Sequence, residues 1–192
     1  MSQKHVEWAP PTESDVENIG GQTSASSVES CPPYTLRDEV TPADRDAVRQ
    51  LVERTGFFRS DEVEIAVELV DERLARGPAS GYYFVFTELG DALAGYACYG
   101  PTACTESSFD LYWIAVDPKL QGRGLGRQLM SEVEARVRGA GGTRIYVDTS
   151  GRPQYQPTRT FYERNGFHCE AVLRDFYAPG DDRVIYVKCL CE

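Results

Sequence analysis

Asp110-Leu-Tyr-Trp-Ile-Ala-Val-Asp-Pro-Lys-Leu-Gln-Gly-Arg-Gly-Leu-Gly-Arg-Gln-Leu-Met130 is the stretch that decides the fold. Residues 109–116 are mostly apolar, β-branched or aromatic and predict a buried strand. Asp117-Pro118 ends this strand, because proline cannot donate a hydrogen bond to a neighbouring strand. After the glycine-rich residues 121–126, apolar side chains recur at every fourth residue from Leu125 to Val137, which predicts an amphipathic helix.

A strand, a glycine-rich turn and a helix start in this order predict a binding site for an anion. The first N–H groups of a helix have no partner within the helix, and the helix dipole adds partial positive charge there. Glycines let a phosphate approach the backbone because they carry no Cβ. The segment therefore predicts a phosphate cradle at residues 121–127.

Helix and strand patterns alternate in mixed order from residue 34 to the end of the chain. The predicted strands are 34–37, 82–89, 93–99, 109–116, 143–150, 167–176 and 183–190. The predicted helices begin near Thr41, which we expect to cap the first one, and near Ser60, Leu125 and Thr158. Phe57-Phe58, between the first two helices, fit either a binding cleft or the core. The order predicts an α/β (α+β) fold, in which helices cover a mixed sheet with antiparallel hairpins.

The composition indicates a globular protein. The 192 residues are 41% hydrophobic, and no stretch has the roughly 20 apolar residues that span a bilayer. The first residues lack the apolar core of a signal peptide, so we expect a cytoplasmic protein. The net charge of −10 argues against nucleic acid and anionic membranes as partners, and it is compatible with a cationic substrate.

Residues 1–33 differ in composition from the rest and predict a disordered tail ahead of a domain at 34–192. They are rich in Ser, Pro and Gly and carry five acidic residues against one lysine. The six cysteines form no C-x-x-C pair, and with only two histidines they predict reduced thiols and no metal site. Cys189 and Cys191 share one face of a predicted strand and leave a metal or redox pair as the alternative.

Two motifs resemble those of the GNAT acetyltransferases. Gln121-Gly-Arg-Gly-Leu-Gly126, after a strand, is similar to the family's pyrophosphate motif, Q/R-x-x-G-x-G/A. Phe161-Tyr-Glu-Arg-Asn-Gly-Phe167 resembles its F-Y-E-K-x-G-F helix. A P-loop would need Lys-Ser/Thr after Gly126, and a Rossmann fingerprint would need different glycine spacing. The resemblance covers about residues 34–190 and implies a largely antiparallel sheet of six to seven strands flanked by about four helices.

The resemblance implies acetyl-CoA as cosubstrate and no metal. Backbone N–H groups around the glycine loop would bind the pyrophosphate, and Arg123 and Arg127 either add charge or remain solvated. The strand before the loop would splay from its neighbour, so that its backbone binds the pantetheine arm. The residues predicted to bind acetyl-CoA are Ile114, Ala115, Val116, Gln121, Gly122, Arg123, Gly124, Leu125, Gly126, Arg127 and Phe161.

Acetyl transfer to an amine needs a base for the amine and an acid for the departing thiolate, but no covalent enzyme intermediate. Tyr162 matches the family tyrosine near the CoA sulfur and is the predicted acid; a core role is its alternative. Asp110 and Asp148 lie where different branches of the family carry a glutamate base. Either could instead make a structural hydrogen bond. Strand alternation predicts that Asp110 shares a face with Tyr112, Ile114 and Val116.

The resemblance implies an N-acetyltransferase acting on a primary amine of a small molecule or peptide. Residues 155–158 depart from the family's N-x-x-A pattern, and residues 174–182 resemble the hairpin of branches that acetylate N-terminal amines. Asp175, Asp181 and Asp182 beside aromatic residues predict either an ammonium pocket or a solvated turn. The alternative function is a catalytically idle acyl-CoA-binding sensor or scaffold. The sequence leaves the acceptor open, and also whether the chain forms a homodimer.

Overall fold

The computed structural model describes residues 34–190. The predictions for the tail at 1–33 and for Cys191 lie outside these residues, so the domain boundary at residue 33 stays a prediction. The strands are β1 (Tyr34–Arg37), β2 (Tyr83–Leu89), β3 (Ala92–Pro101), β4 (Ser108–Val116), β5 (Arg144–Ser150), β6 (His168–Ala178) and β7 (Asp181–Cys189). The helices are α1 (Asp44–Thr55), α2 (Ser60–Arg76), α3 (Leu125–Gly139) and α4 (Gln156–Arg164).

The seven strands form one sheet in the order β1-β2-β3-β4-β5-β7-β6. All neighbours are antiparallel except β4 and β5, which are parallel. One apolar core lies between the sheet and the buried faces of α3 and α4, and a second lies between the sheet and α1 and α2. The predicted mixed, largely antiparallel sheet with helices on its faces is confirmed. Within residues 34–190, no helix is both long and apolar enough to cross a membrane.

Strands β4 and β5 pair over only three residues and then diverge. Their parallel register runs from Ser108–Arg144 to Asp110–Tyr146 and stops there. Beyond this point the ladder partners of β4 lie on β3 alone, and those of β5 lie on β7 alone. We call the resulting gap the fork. The splayed strand implied by the family resemblance is confirmed, and Asp110 stands at the vertex of the fork.

The predicted alternation along β4 is wrong because the strand contains a bulge. Cys98 and Tyr99 are consecutive on β3, yet they pair with Trp113 and Leu111 on β4, so Tyr112 is an extra residue. Leu111 and Ile114 consequently face the same core, beside α3, while Trp113 faces α1 and α2. The bulge therefore separates Asp110 from the face that carries Ile114 and Val116.

The start of α1 also differs from the prediction, since Thr41 is not its N-cap. Ala43 takes that position, and no side chain caps the helix there. Asp44 is buried instead, where it accepts hydrogen bonds from the backbone N–H of Thr41 at 2.6 Å and from its hydroxyl at 3.0 Å. Arg37 also pairs with Asp44. The end of α1 at Gly56, with φ of +63°, agrees with the sequence.

Candidate active site

The glycine-rich segment forms a tight loop between β4 and the start of α3. Asp117 accepts a hydrogen bond from the Lys119 N–H at 3.0 Å, which turns the chain out of the strand. Gly122 and Gly124 have φ of +76° and +84°, a region that disfavours residues with a Cβ. Gly124 is the N-cap of α3, and no side chain caps this helix. The first amides of α3 are therefore available for an anionic ligand.

A cavity of about 600 Å³ lies against this loop, and we call it the loop cavity. Its walls are the end of β4, the glycine loop, the segment before α4 and one face of α4. Of the predicted binding residues, those that line it are Val116, Gln121, Gly122, Gly124, Leu125, Gly126, Arg127 and Phe161. Ile114 and Ala115 are instead buried in the core, with their backbone along the fork. Arg123 does not line the cavity either.

The α4 side of the loop cavity carries residues that were not predicted from the sequence. They are Pro153, Gln156, Pro157, Thr160, Arg164 and Asn165. Helix α4 begins at Gln156, earlier than predicted, and brings Gln156 and Thr160 to the cavity. The departure of residues 155–158 from the family's N-x-x-A pattern could have indicated these residues, because the segment lies on the cavity wall.

A second hollow, of about 380 Å³, lies on the sheet at the vertex of the fork, and we call it the sheet-face cleft. Strands β4, β5, β6 and β7 line it, and it brings the two predicted bases, Asp110 and Asp148, together. Glu170 is a third carboxyl group there, and Arg183 is the cation. Nothing in the sequence marks Arg183, since only the register of β7 against β5 places it there.

The two aspartates of the sheet-face cleft differ in their surroundings. Asp148 is ion-paired with Arg183, whose side chain is only 14% exposed. Burial raises the pKa of Asp110 and outweighs the opposing effects of a hydrogen bond with Thr102 and of the charge of Arg183, while the negative charge of Asp148 adds to the increase. Arg183 therefore neutralises Asp148, while Asp110 is a carboxyl group with raised proton affinity at the vertex of the fork.

Tyr162, the predicted acid, is completely buried on α4. Its ring centroid lies 5.5 Å from that of Phe161, 5.7 Å from that of Phe167 and 6.0 Å from that of Tyr186. Its neighbour Phe161 lines the loop cavity, whereas Tyr162 lines none of the three cavities at the site. Tyr162 is therefore a core residue, and its neighbour in sequence, Phe161, lies on the wall of the loop cavity.

A third cavity, of about 220 Å³, lies between the diverging parts of β4 and β5, and we call it the fork cavity. Aromatic side chains from four separate segments line it: Phe57, Trp113, Tyr155 and Tyr177. Phe58 packs in the core instead, with its ring centroid 4.9 Å from that of Trp113. Phe57 therefore lines a cavity and Phe58 packs in the core, so each takes one of the two roles that the sequence leaves open.

The acidic residues of the β6–β7 hairpin make hydrogen bonds and an ion pair within the hairpin and with neighbouring residues. Asp182 accepts a hydrogen bond from the Asp175 N–H at 2.9 Å, and Asp175 accepts one from the Gly180 N–H at 2.6 Å. Asp181 is buried rather than solvated, and it accepts from Ser150 Oγ and pairs with Arg152 at 3.1 Å. These contacts favour the turn interpretation for Asp175 and Asp182, whereas Asp181 lines the fork cavity.

The loop cavity and the fork cavity share a wall. Residues 152–157 run from the end of β5 into the first turn of α4, and their side chains are divided between the two cavities. Pro153, Gln156 and Pro157 line the loop cavity, whereas Arg152, Gln154 and Tyr155 line the fork cavity.

Comparison with known proteins identifies the family. The model of the acetyltransferase (GNAT) family matches residues 45–167, so the chain belongs to this family. A GNAT-family protein from Desulfovibrio desulfuricans is 52% identical, and the match covers 83% of this chain and all of that one with a TM-score of 0.82. The structure of yncA from Salmonella typhimurium, which contains acetyl-CoA, shares the fold at 19% identity, covering 83% of this chain and 95% of that one with a TM-score of 0.65.

A relative from Mycobacterium leprae of uncharacterised function is 32% identical over 149 residues, which is 77% of this chain. The chain spans only 38% of the length of that relative. The activity of that longer protein therefore says nothing about this chain.

Proposed function

We propose that the protein is an acetyl-CoA-dependent N-acetyltransferase that transfers the acetyl group directly to a primary amine. The observation that carries the proposal is the fork, because the loop cavity lies against the end of β4, the fork cavity lies between β4 and β5, and a carboxyl group of raised pKa stands at the vertex. Membership of the GNAT family and the acetyl-CoA in the yncA structure support the choice of cosubstrate.

The loop cavity fits the CoA part of acetyl-CoA. Uncapped amides at the start of α3 suit the pyrophosphate, and Arg127 and Arg164 on the cavity wall add positive charge. The side chains of Val116 and Phe161 provide apolar surface for the pantetheine arm. Bound there, acetyl-CoA supplies an activated acyl group as a thioester.

Asp110 is the proposed base. An amine is mostly protonated at neutral pH and must lose a proton before it attacks a thioester. The raised pKa of Asp110 makes it a better proton acceptor than an ordinary aspartate, and its short side chain favours transfer through a water molecule. Asp148 is less suited to the role, because its carboxylate is already ion-paired with Arg183.

Tyr162 is the proposed proton donor to the departing thiolate. Its motif position supports this role, and its ring abuts Phe161 on the wall of the loop cavity. Complete burial of Tyr162 instead favours the second candidate function, an acyl-CoA-binding module without turnover, in which this tyrosine only packs the core. The carboxyl group at the vertex of the fork supports the enzyme over the binding module.

The test is release of free CoA from acetyl-CoA across a panel of polyamines, amino acids, aminoglycosides and peptides. We expect at least one amine to give thiol release with matching mass of an acetylated product. Tight binding of acetyl-CoA without turnover on any amine would establish the binding module instead. The same measurement without an amine corrects for thioester hydrolysis.

A further inference from the structure

The carboxylate of Asp181 connects the β6–β7 hairpin to the segment that follows β5. Asp181 is 6% exposed, and one of its oxygens accepts a hydrogen bond from the hydroxyl of Ser150 at the end of β5. Its other oxygen lies 3.1 Å from Nε of Arg152. The Ser150 hydroxyl in turn accepts a hydrogen bond from the Arg152 N–H at 3.1 Å. The three residues therefore form a closed network that uses both carboxylate oxygens.

Helix α4 holds the same segment through its backbone. The guanidinium of Arg159 donates hydrogen bonds to the carbonyl oxygens of Ser150 at 2.7 Å and of Arg152 at 3.0 Å. These bonds fix the backbone of Arg152, whereas Asp181 fixes its side chain. Removal of the Asp181 charge should therefore release the guanidinium of Arg152 and leave the backbone in place.

The charges on the walls of the fork cavity are balanced in pairs. Among residues 34–190, the charged residues that line the cavity are Arg59, Glu62, Arg152 and Asp181. The guanidinium of Arg59 lies 3.6 Å from the carboxylate of Glu62 and 3.1 Å from that of Asp61. The side chain of Arg152 is 45% exposed, so a guanidinium that Asp181 no longer holds is free to turn into the cavity.

An acceptor amine is a cation when it arrives, because a primary amine is mostly protonated at neutral pH. An unpaired arginine on the cavity wall would repel this cation. The repulsion is stronger in a cavity than in open water, because less water lies between the two charges. Admission of the amine therefore requires the charge of Arg152 to be neutralised by a partner.

We propose that Asp181 is a positioning residue for the acceptor: it holds the guanidinium of Arg152 on the wall, so that an incoming ammonium group meets no unpaired cation in the fork cavity. The inference rests on the proposed function, because it concerns how the same enzyme admits its amine. Asp181 acts through Arg152 and does not bind the amine itself, since both of its carboxylate oxygens already have partners.

Steady-state kinetics with the panel amine of highest kcat/KM test the inference. Asp181→Asn should raise KM for this amine about 3- to 10-fold and leave kcat and acetyl-CoA affinity unchanged. The increase should become smaller in about 0.5 M KCl, because salt screens the repulsion. Loss of folded protein would instead lower the apparent kcat and leave KM unchanged, so it does not imitate this result.

Arg152→Gln shows whether Asp181 acts through Arg152. Alone, it leaves the carboxylate of Asp181 without its cation and should lower KM for the amine. Combined with Asp181→Asn, it removes both charges and should return KM to near the wild-type value. Asp182→Asn is the matched control, because Asp182 lies on the same hairpin, accepts a hydrogen bond from the Asp175 N–H and lines none of the three cavities. It should leave KM unchanged.

A second measurement needs no turnover. The Nε–H group of Arg152 gives a signal in a proton–nitrogen correlation spectrum, and the loss of this signal in Arg152→Gln identifies it. The heteronuclear NOE of this group should be high in the wild type and in Asp182→Asn, because Asp181 holds the group there. It should be low in Asp181→Asn.

An unchanged KM in Asp181→Asn overturns the inference while the enzyme proposal stands. An increase in KM that persists in the double variant also overturns it, and assigns direct contact with the amine to Asp181. A low NOE in the wild type overturns it as well, because Arg152 would then not be held. If the wild type turns over no amine, the enzyme proposal fails, and a high NOE that Asp181→Asn lowers still supports the role of Asp181 in holding Arg152.

Discussion

The two sides of the fork are built in different ways. The loop cavity is formed largely by two contiguous segments, the glycine loop with the start of α3 and residues 153–165. The fork cavity draws its walls from the α1–α2 segment, β4, β5, residues 152–155 and the β6–β7 hairpin. The first includes the backbone of a glycine-rich loop, whereas side chains from distant parts of the chain line the second.

This difference explains why the sequence predicts acetyl-CoA as the acetyl donor but does not predict the amine that accepts the acetyl group. A phosphate cradle depends on glycines at fixed spacing before a helix, which is a local property of the sequence. The acceptor side depends on which side chains the sheet brings together, and small changes there change the ligand. We therefore expect substitutions on the two sides to separate cosubstrate binding from turnover.

The largest expected effect is on the cosubstrate side, at Gly124. Gly124→Val places a side chain in the loop cavity at the N-cap of α3, where we expect the pyrophosphate, and should abolish detectable acetyl-CoA binding by calorimetry. The backbone strain of a φ of +84° should also cost about 1–2 kcal/mol of stability.

Gly141→Val separates these two causes. Gly141 has φ of +79° and open space around it, as Gly124 has, but it lies outside the loop cavity. It should lose similar stability and bind acetyl-CoA normally. Normal binding by Gly124→Val would show that the glycine loop is not the cofactor site.

The next largest effect is expected at the vertex of the fork. Asp110→Asn should lower kcat by about 100- to 10,000-fold and leave acetyl-CoA affinity unchanged, because it removes a base and no cofactor contact. Asp148→Asn should lower kcat much less, but should cost about 1–3 kcal/mol of stability because Arg183 loses its partner. The reverse order of the two kcat values would assign the base to Asp148.

The pH dependence of stability tests the surroundings of Asp110 independently of catalysis. Burial raises its pKa in the folded state above the unfolded value, so the folded protein binds the proton more tightly. This contribution favours folding below the unfolded pKa and is lost as pH rises through the folded pKa. Asp110→Asn should therefore be more stable than the wild type at neutral pH, with the difference disappearing in acid. Denaturant titrations at several pH values measure it, and an unchanged difference would contradict the raised pKa.

Tyr162→Phe should lower kcat by about 100-fold, at the low end for proton transfer, because a thiolate leaves readily even without an acid. Acetyl-CoA affinity should stay the same, since Phe161 and not Tyr162 lines the loop cavity. Steady-state rates over a range of pH provide the measurement. Wild-type rates at every pH would restrict Tyr162 to packing against Phe161, Phe167 and Tyr186.

The smallest expected effect distinguishes the two arginines of the glycine loop. Arg127 lines the loop cavity and Arg123 does not, so Arg127→Gln should weaken acetyl-CoA binding by about 2- to 5-fold and Arg123→Gln should not. The effect of Arg127→Gln should diminish in high salt, because exposed charges are screened. Equal losses from both variants would indicate a general charge effect rather than a contact.

The sequence predicts the glycine loop, the helix after it and the strands of the sheet well, because these elements rest on local patterns. Leu125 to Val137 repeat with helical spacing, and α3 is where this repeat puts it. The bulge at Tyr112 could not be predicted, since it depends on pairing with Cys98 and Tyr99 of another strand. The Arg183–Asp148 pair likewise depends on the register of β7 against β5.

A crystal structure with a bisubstrate analogue, in which CoA is joined through the acetyl carbon to the amine that gives the highest kcat/KM, tests the central claim most directly. We expect the pyrophosphate at the amides of residues 121–127 and the acetyl carbon in the fork. Pyrophosphate bound away from the glycine loop would contradict the cofactor site. An analogue whose amine lies outside the fork would contradict direct transfer between the two cavities.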